Sequence, residues 1–183
     1  MDGRKLSEKI KDYIKLQIEA FEQKDVTPSL STILVGDDPA SRMYVELKHK
    51  ACEEVGLRSE DYRLDIDCPE RDLIALVVKL NDGETHGILV QLPLPENIDS
   101  YRVIESMRPE KDVDGLTPYN MGKLAYGKYD LAPCTPRGIL ALLKHYGVTT
   151  EGKHAVIINR SPLVGKPLML LTKFDPVQML VSN

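Results

Sequence analysis

Leu6, Ile10, Ile14, Ile18 and Phe21 recur at three- to four-residue steps, the spacing of one helix face, and predict an amphipathic helix at the start of the chain. Thr27-Pro28 ends it, and Leu30 to Val35 follows as a short β-rich run closed by the turn formers Gly36-Asp37-Asp38-Pro39. Asp38 suits an N-cap and Pro39 the first helical position, where a missing N–H costs nothing. The helix they open is expected to stop at Gly56 and to bury the stripe Leu47, Ala51 and Val55. Tyr62, Leu64 and Ile66 then alternate with Arg63, Asp65 and Asp67, the pattern of a strand with one wet face. Pro69 opens a further helix carrying Leu73, Leu76, Val77 and Leu80. Gly87 to Gln91 reads as a continuous strand covered on both faces, ending in Leu92-Pro93-Leu94-Pro95.

Strand and helix have by then alternated three times, which implies an α/β layer on a largely parallel sheet. Ligands of such sheets sit beyond the carboxyl ends of the strands. Gly36-Asp37-Asp38, the start of the second helix and Gln91-Leu92-Pro93 all fall on that rim. A helix around Tyr101 to Met107 comes next, then the charged turn-rich stretch Pro109 to Pro118, a rim loop or a crossover between domains. Thr135 as N-cap, Pro136 at the first position and Gly147 past the end frame a helix with Ile139, Leu142, Leu143 and Tyr146 on its buried face. Ala155 to Asn159 is the next strand. Arg160 to Pro167 is a strand-to-helix turn of the kind whose backbone N–H groups cradle a phosphate. Pro176 is expected to break the helix that follows, and Val177 to Val181 to form another strand.

Composition narrows the function. With 183 residues and a formal net charge of −4, the chain suits one domain or one and a part and carries no basic field for nucleic acid. No apolar run approaches a bilayer span and the first residues are charged throughout, so the expected compartment is the cytoplasm. Three scattered cysteines (Cys52, Cys68, Cys134) without a C-x-x-C pair imply reduced thiols, and four histidines show no ligand spacing, so no metal is expected.

Tyr44 and Lys48 stand four apart at the start of the second helix and project from one face as neighbours. A lysine there, beside an apolar stripe and partly desolvated, is a candidate acid–base group. Around this pair five motifs fall in one order: Tyr44-x-x-x-Lys48, Gln91-Leu92-Pro93-Leu94-Pro95, Lys111-Asp112-Val113-Asp114-Gly115, Pro133-Cys134-Thr135-Pro136 and Arg160-Ser161-x-x-Val164-Gly165-x-Pro167. From residue 2 to about residue 171 the chain resembles the bifunctional methylenetetrahydrofolate dehydrogenase/methenyltetrahydrofolate cyclohydrolase family, the FolD type.

The resemblance implies two three-layer α/β domains: a catalytic domain over 1–117 and the start of a Rossmann NAD(P)-binding domain over 118–183, with folate in the cleft between them. It implies oxidation of 5,10-methylenetetrahydrofolate with NADP (or NAD), hydrolysis of the methenyl product to 10-formyltetrahydrofolate, and a homodimer. Lys48 resembles the family's catalytic lysine, Gln91 the glutamine that orients it, and Tyr44 the tyrosine that stacks on folate. Leu92 and Pro93 line the substrate, and Asp114 resembles the aspartate anchoring the pterin, while Asp112 reads as a turn former. Asn159, Arg160, Ser161, Gly165 and Pro167 resemble the coenzyme turn. Arg160 there favours the extra phosphate of NADP, and Cys134 has no role as a nucleophile. Asn159 stands where the family typically has glycine, and asparagine tolerates the left-handed backbone such a turn can require. The family's later coenzyme motifs and closing helix are not seen before Asn183, so the Rossmann half is expected to be incomplete. A chain that holds folate without dehydrogenase activity is the alternative.

Overall fold

The computed structural model describes residues 1–172 and 177–180, and the expectations for Pro176 and Val181 lie outside them. The chain divides into two compact units: Ser7–Asp112 is one, and Val113–Asn183 together with Met1–Leu6 is the other.

The first unit is the α/β layer that the alternation implies. After α1 (Gly3–Glu22) come β1 (Ser29–Val35), α2 (Pro39–Val55), β2 (Arg58–Leu64), α3 (Glu70–Asp82), β3 (Gly87–Val90) and α4 (Ser100–Glu105). The sheet is parallel, in the order β2-β1-β3, with Ser29 opposite Arg58 and Leu30 opposite Gly87. Parallel neighbours cannot be joined by a hairpin, so α2 and α3 carry the crossovers. Ile33, Val45, Leu73, Val77, Ile88 and Val103 form its core, each at or below 1% exposure. All of β3 is buried, as a strand covered on both faces must be.

Three local expectations shift. The second strand runs from Arg58 and ends at Leu64, because its register is set by pairing with β1 and not by its own alternation. Ile66 therefore lies past the strand and is 67% exposed. On α2 the buried residues are Ser41, Val45, Cys52 and Val55, while Leu47 is 56% exposed. On α1 only Ile18 is buried, where it packs near Gly56, and Ile10, Ile14 and Phe21 stay exposed. The amphipathic pattern made α1 a helix without giving its whole stripe a partner among the described residues.

The end of this unit is pinned by Lys111. Its ammonium donates to the carbonyls of Leu80 (3.1 Å) and Gly83 (2.9 Å) at the C-terminus of α3, and its own carbonyl accepts from Ile88 N–H at 2.7 Å. Asp112 forms a β-bridge with Ile88 and is 1% exposed, so it is a core residue and not a simple turn former.

The second unit holds α5 (Pro118–Ala125), α6 (Cys134–His145), β4 (Ala155–Ile158), α7 (Gly165–Leu171) and β5 (Val177–Leu180), with β4 and β5 paired in parallel. The apolar periodicity leaves α5 undetected, although Thr117-Pro118 supplies the cap and first-position proline that announce it, and Thr117 Oγ1 accepts from Asn120 N–H. The helix α6 starts two residues early, at Cys134 with Pro133 and not Thr135 in the cap position, which places Pro136 in the first turn where no partner is needed for its nitrogen. Its expected buried face is only half-buried and Tyr146 is 44% exposed, since the two described strands offer little sheet surface to cover.

Candidate active site

Helix α2 begins as the sequence dictates. Asp38 in extended backbone accepts from Ser41 N–H at 2.8 Å, and Pro39 occupies the first position. That hydrogen bond, given to the charged form, holds the Asp38 carboxyl below its ordinary range. At the other end Gly56 adopts φ +82°, the left-handed C-cap that glycine supplies without strain.

Lys48 sits three residues after Val45 and four before Cys52, on the buried row of α2. Its stem is thereby half-buried and its amine is carried toward the end of β3. There Gln91 continues the sheet, its N–H donating to Ile33 O at 2.8 Å. The Gln91 amide is held at both ends: Nε2 donates to Leu92 O at 2.7 Å, and Oε1 accepts from Lys48 Nζ at 2.9 Å. A backbone carbonyl accepts only, so it orients the amide and aims the oxygen at the amine. Leu92-Pro93 is a cis peptide, with Leu92 half-buried and Pro93 exposed. Tyr44 lies one helical turn before Lys48 and is 53% exposed as a residue, which leaves it open to a ligand. Tyr44, Lys48, Gln91, Leu92 and Pro93 thus share one rim of the first unit.

Asp114 belongs to the second unit and is half-buried. Its segment is tightly placed. Gly115 has φ +64°, and a Cβ there would stand 2.8 Å from the Cα of Ala132. Beside it, the Cys134 thiol donates to Val113 O at 3.6 Å, a contact that sequence spacing does not announce.

The expected coenzyme turn also lies in this unit. Asn159 is not left-handed, for among the described residues other than glycine only Asp25 has positive φ. Its contribution is the side chain: Oδ1 accepts from Ser161 N–H (2.8 Å), Ser161 Oγ (2.8 Å) and Gly165 N–H (3.0 Å). Two backbone N–H groups and a hydroxyl converging on one oxygen are the donor set a phosphate oxygen takes, so these residues fit a phosphate-bearing coenzyme. Any Cβ on Gly165 would run into the Asn159 carbonyl group, which makes glycine obligatory at this distance. Pro167 is buried within α7, and Arg160 is exposed. Among the described residues no helix is long and apolar enough to cross a membrane, and no cluster of His, Cys, Asp and Glu is placed to hold a metal ion.

Known proteins share this organisation. The family model for the tetrahydrofolate dehydrogenase/cyclohydrolase catalytic domain matches residues 1–114, and that for its NAD(P)-binding domain matches residues 133–182. The bifunctional protein FolD of Geotalea uraniireducens is 47% identical over 172 residues, covering 93% of this chain and 61% of the relative. A crystal structure of the bifunctional enzyme FolD from Campylobacter jejuni superposes with TM-score 0.94 at 44% identity, over 98% of this chain and 65% of that one. The Trypanosoma brucei dehydrogenase-cyclohydrolase, solved with NADP and an inhibitor, superposes with TM-score 0.94 at 33% identity, over 99% of this chain and 63% of that one. The chain spans about 61% of the length of the curated relatives it matches. With its catalytic-domain model matched over more than half of its residues, the chain belongs to the tetrahydrofolate dehydrogenase/cyclohydrolase family.

Proposed function

We propose that this chain oxidises 5,10-methylenetetrahydrofolate to the methenyl compound with NADP and hydrolyses that product to 10-formyltetrahydrofolate. The observation that carries the proposal is the Lys48–Gln91 hydrogen bond on the rim of a family-matched catalytic domain. When bound, NADP supplies the hydride acceptor. Ser161 and the Gly165 N–H would hold one of its phosphates, with Arg160 and Pro167 flanking that contact, and NAD is the second candidate.

The methenyl compound is a cation, and water must attack its bridging carbon. Lys48 in its uncharged form accepts a proton from that water as the C–O bond forms. It returns that proton to the ring nitrogen as the bond from this nitrogen to the bridging carbon breaks. The carbinol O–H proton leaves to water as the formyl C=O forms, so one proton is released overall. Gln91 holds the amine in line, so its rotamers are not lost at each turnover. Tyr44 offers its ring face to the planar folate, and Leu92 and Pro93 line the same rim. The Asp114 carboxylate offers two acceptors to the adjacent amino and ring N–H donors of a pterin.

The reading includes a homodimer working in the cytoplasm on tetrahydrofolate derivatives, with neither nucleic acid nor a metal as partner. The match of residues 133–182 to the NAD(P)-binding model weighs against a folate holder without dehydrogenase activity. The test is to supply methylenetetrahydrofolate and NADP to the purified chain and follow reduced-nicotinamide absorbance, with methenyl hydrolysis followed in parallel. Absence of both signals contradicts the proposal, and light scattering decides the dimer.

A further inference from the structure

The coenzyme turn is closed by its own side chain. Besides the three hydrogen bonds received by Asn159 Oδ1, Ser161 Oγ accepts from Val164 N–H at 3.1 Å, and Ser161 O accepts from Lys166 N–H at 3.1 Å. Two of the groups facing the Asn159 amide are backbone N–H donors, so its oxygen and not its nitrogen must point at them. A glycine at position 159, which the family resemblance leads one to expect, has no such oxygen to offer. Asn159 is exposed, so a ligand can reach the amide and displace it.

We infer that Asn159 is an internal competitor for a coenzyme phosphate, occupying with Oδ1 the point where a phosphate oxygen would take the N–H groups of Ser161 and Gly165. This rests on the reading of the turn as the coenzyme site. Two oxygens cannot share one set of donors, so the coenzyme either expels the amide or binds without these contacts, and affinity falls in both cases. An anionic phosphate oxygen is the stronger acceptor, so the amide weakens binding without preventing it. The amide also satisfies the turn in the absence of coenzyme, where two N–H groups and a hydroxyl would otherwise rely on water.

Calorimetric titration of NADP and of NAD into the wild-type chain, Asn159→Ala and Asn159→Asp tests this. Alanine removes the acceptor, keeps the Cβ, and should tighten binding on the order of tenfold. Aspartate keeps the size, strengthens the internal acceptor, and should weaken binding on the order of tenfold or more by repelling the phosphate. A gain with both coenzymes identifies the shared pyrophosphate as the rival of the Asn159 amide, and a gain with NADP alone identifies its extra phosphate; either supports the inference. Equal or weaker binding by Asn159→Ala overturns it, because Asn159 would then be bracing the turn for the coenzyme. If the wild-type chain and both variants bind neither coenzyme, the site assignment itself fails.

Discussion

Lys48 Nζ donates to Gln91 Oε1 across 2.9 Å, joining α2 to the end of β3 over 43 residues of sequence. In the proposed hydrolysis the glutamine contributes no proton transfer of its own, since an amide neither accepts nor releases a proton near neutrality. Its value is geometric, and the Leu92 carbonyl on its other end fixes that geometry.

Gln91→Leu should therefore lower kcat for methenyl hydrolysis on the order of 10²-fold while folate affinity changes little. The melting temperature should stay near wild type. A double-mutant cycle with Lys48→Met separates positioning from packing: once the amine is gone, loss of Gln91 should cost almost nothing further. Full additivity of the two losses would show that Gln91 acts independently of Lys48.

Asp38 makes the start of α2 sensitive to acid. Its folded carboxyl is held below the ordinary aspartate range by the Ser41 N–H. Its contribution to stability is thus fully present above the unfolded value and disappears as pH falls through the folded one. Chemical unfolding across that acidic window should show this slope in the wild type and lack it in Asp38→Asn, which keeps a capping acceptor without the charge. An unchanged slope in Asp38→Asn would assign it to other carboxylates.

Gly115 and Gly127 separate backbone strain from collision. Both have positive φ, +64° and +67°, but a Cβ meets the Ala132 backbone only at Gly115. Gly127→Ala should cost roughly 1 kcal/mol, the price of a left-handed L-residue. Gly115→Ala should cost at least about 2 kcal/mol more, because two backbone segments must part. Urea unfolding of both variants measures the difference, and equal costs would mean that the 131–133 segment yields freely.

Much of the fold is legible where one local signal decides it. Asp38-Pro39 and Gly56 bound α2 because a cap, a proline and a left-handed glycine each work without long-range help. The apolar run of β3 predicts its burial for the same reason. Where two rows of one helix compete, local pattern is not enough. Leu47 looks like the better core residue than Ser41 or Cys52, yet the helix turns Val45, Cys52 and Val55 inward and places Lys48 on that row. Exposure of Leu47 and partial burial of Lys48 are consequences of a single helix rotation, which only the sheet beneath can set.

The start of β2 at Arg58 was hidden likewise, because its register comes from β1, 29 residues earlier in sequence at the Ser29–Arg58 pair. At the turn proposed for the coenzyme, the departure of Asn159 from glycine is visible in the sequence, but its meaning is not. By backbone preference alone, asparagine is a tolerant substitute. The structure makes it an acceptor aimed at Ser161 and Gly165. The contacts of Cys134 and Lys111 are not legible in the sequence because their partners are backbone carbonyls 21 or more residues away, which no spacing rule anticipates.

The most direct measurement is the rate of methenyltetrahydrofolate hydrolysis by Lys48→Met, a variant that keeps the apolar stem and loses the amine. General acid–base catalysis contributes on the order of 10²- to 10⁴-fold, so the rate should fall by that much while a folate ligand still binds by calorimetry. Hydrolysis within a few-fold of wild type in a folded, folate-binding Lys48→Met chain would contradict the role given to this amine.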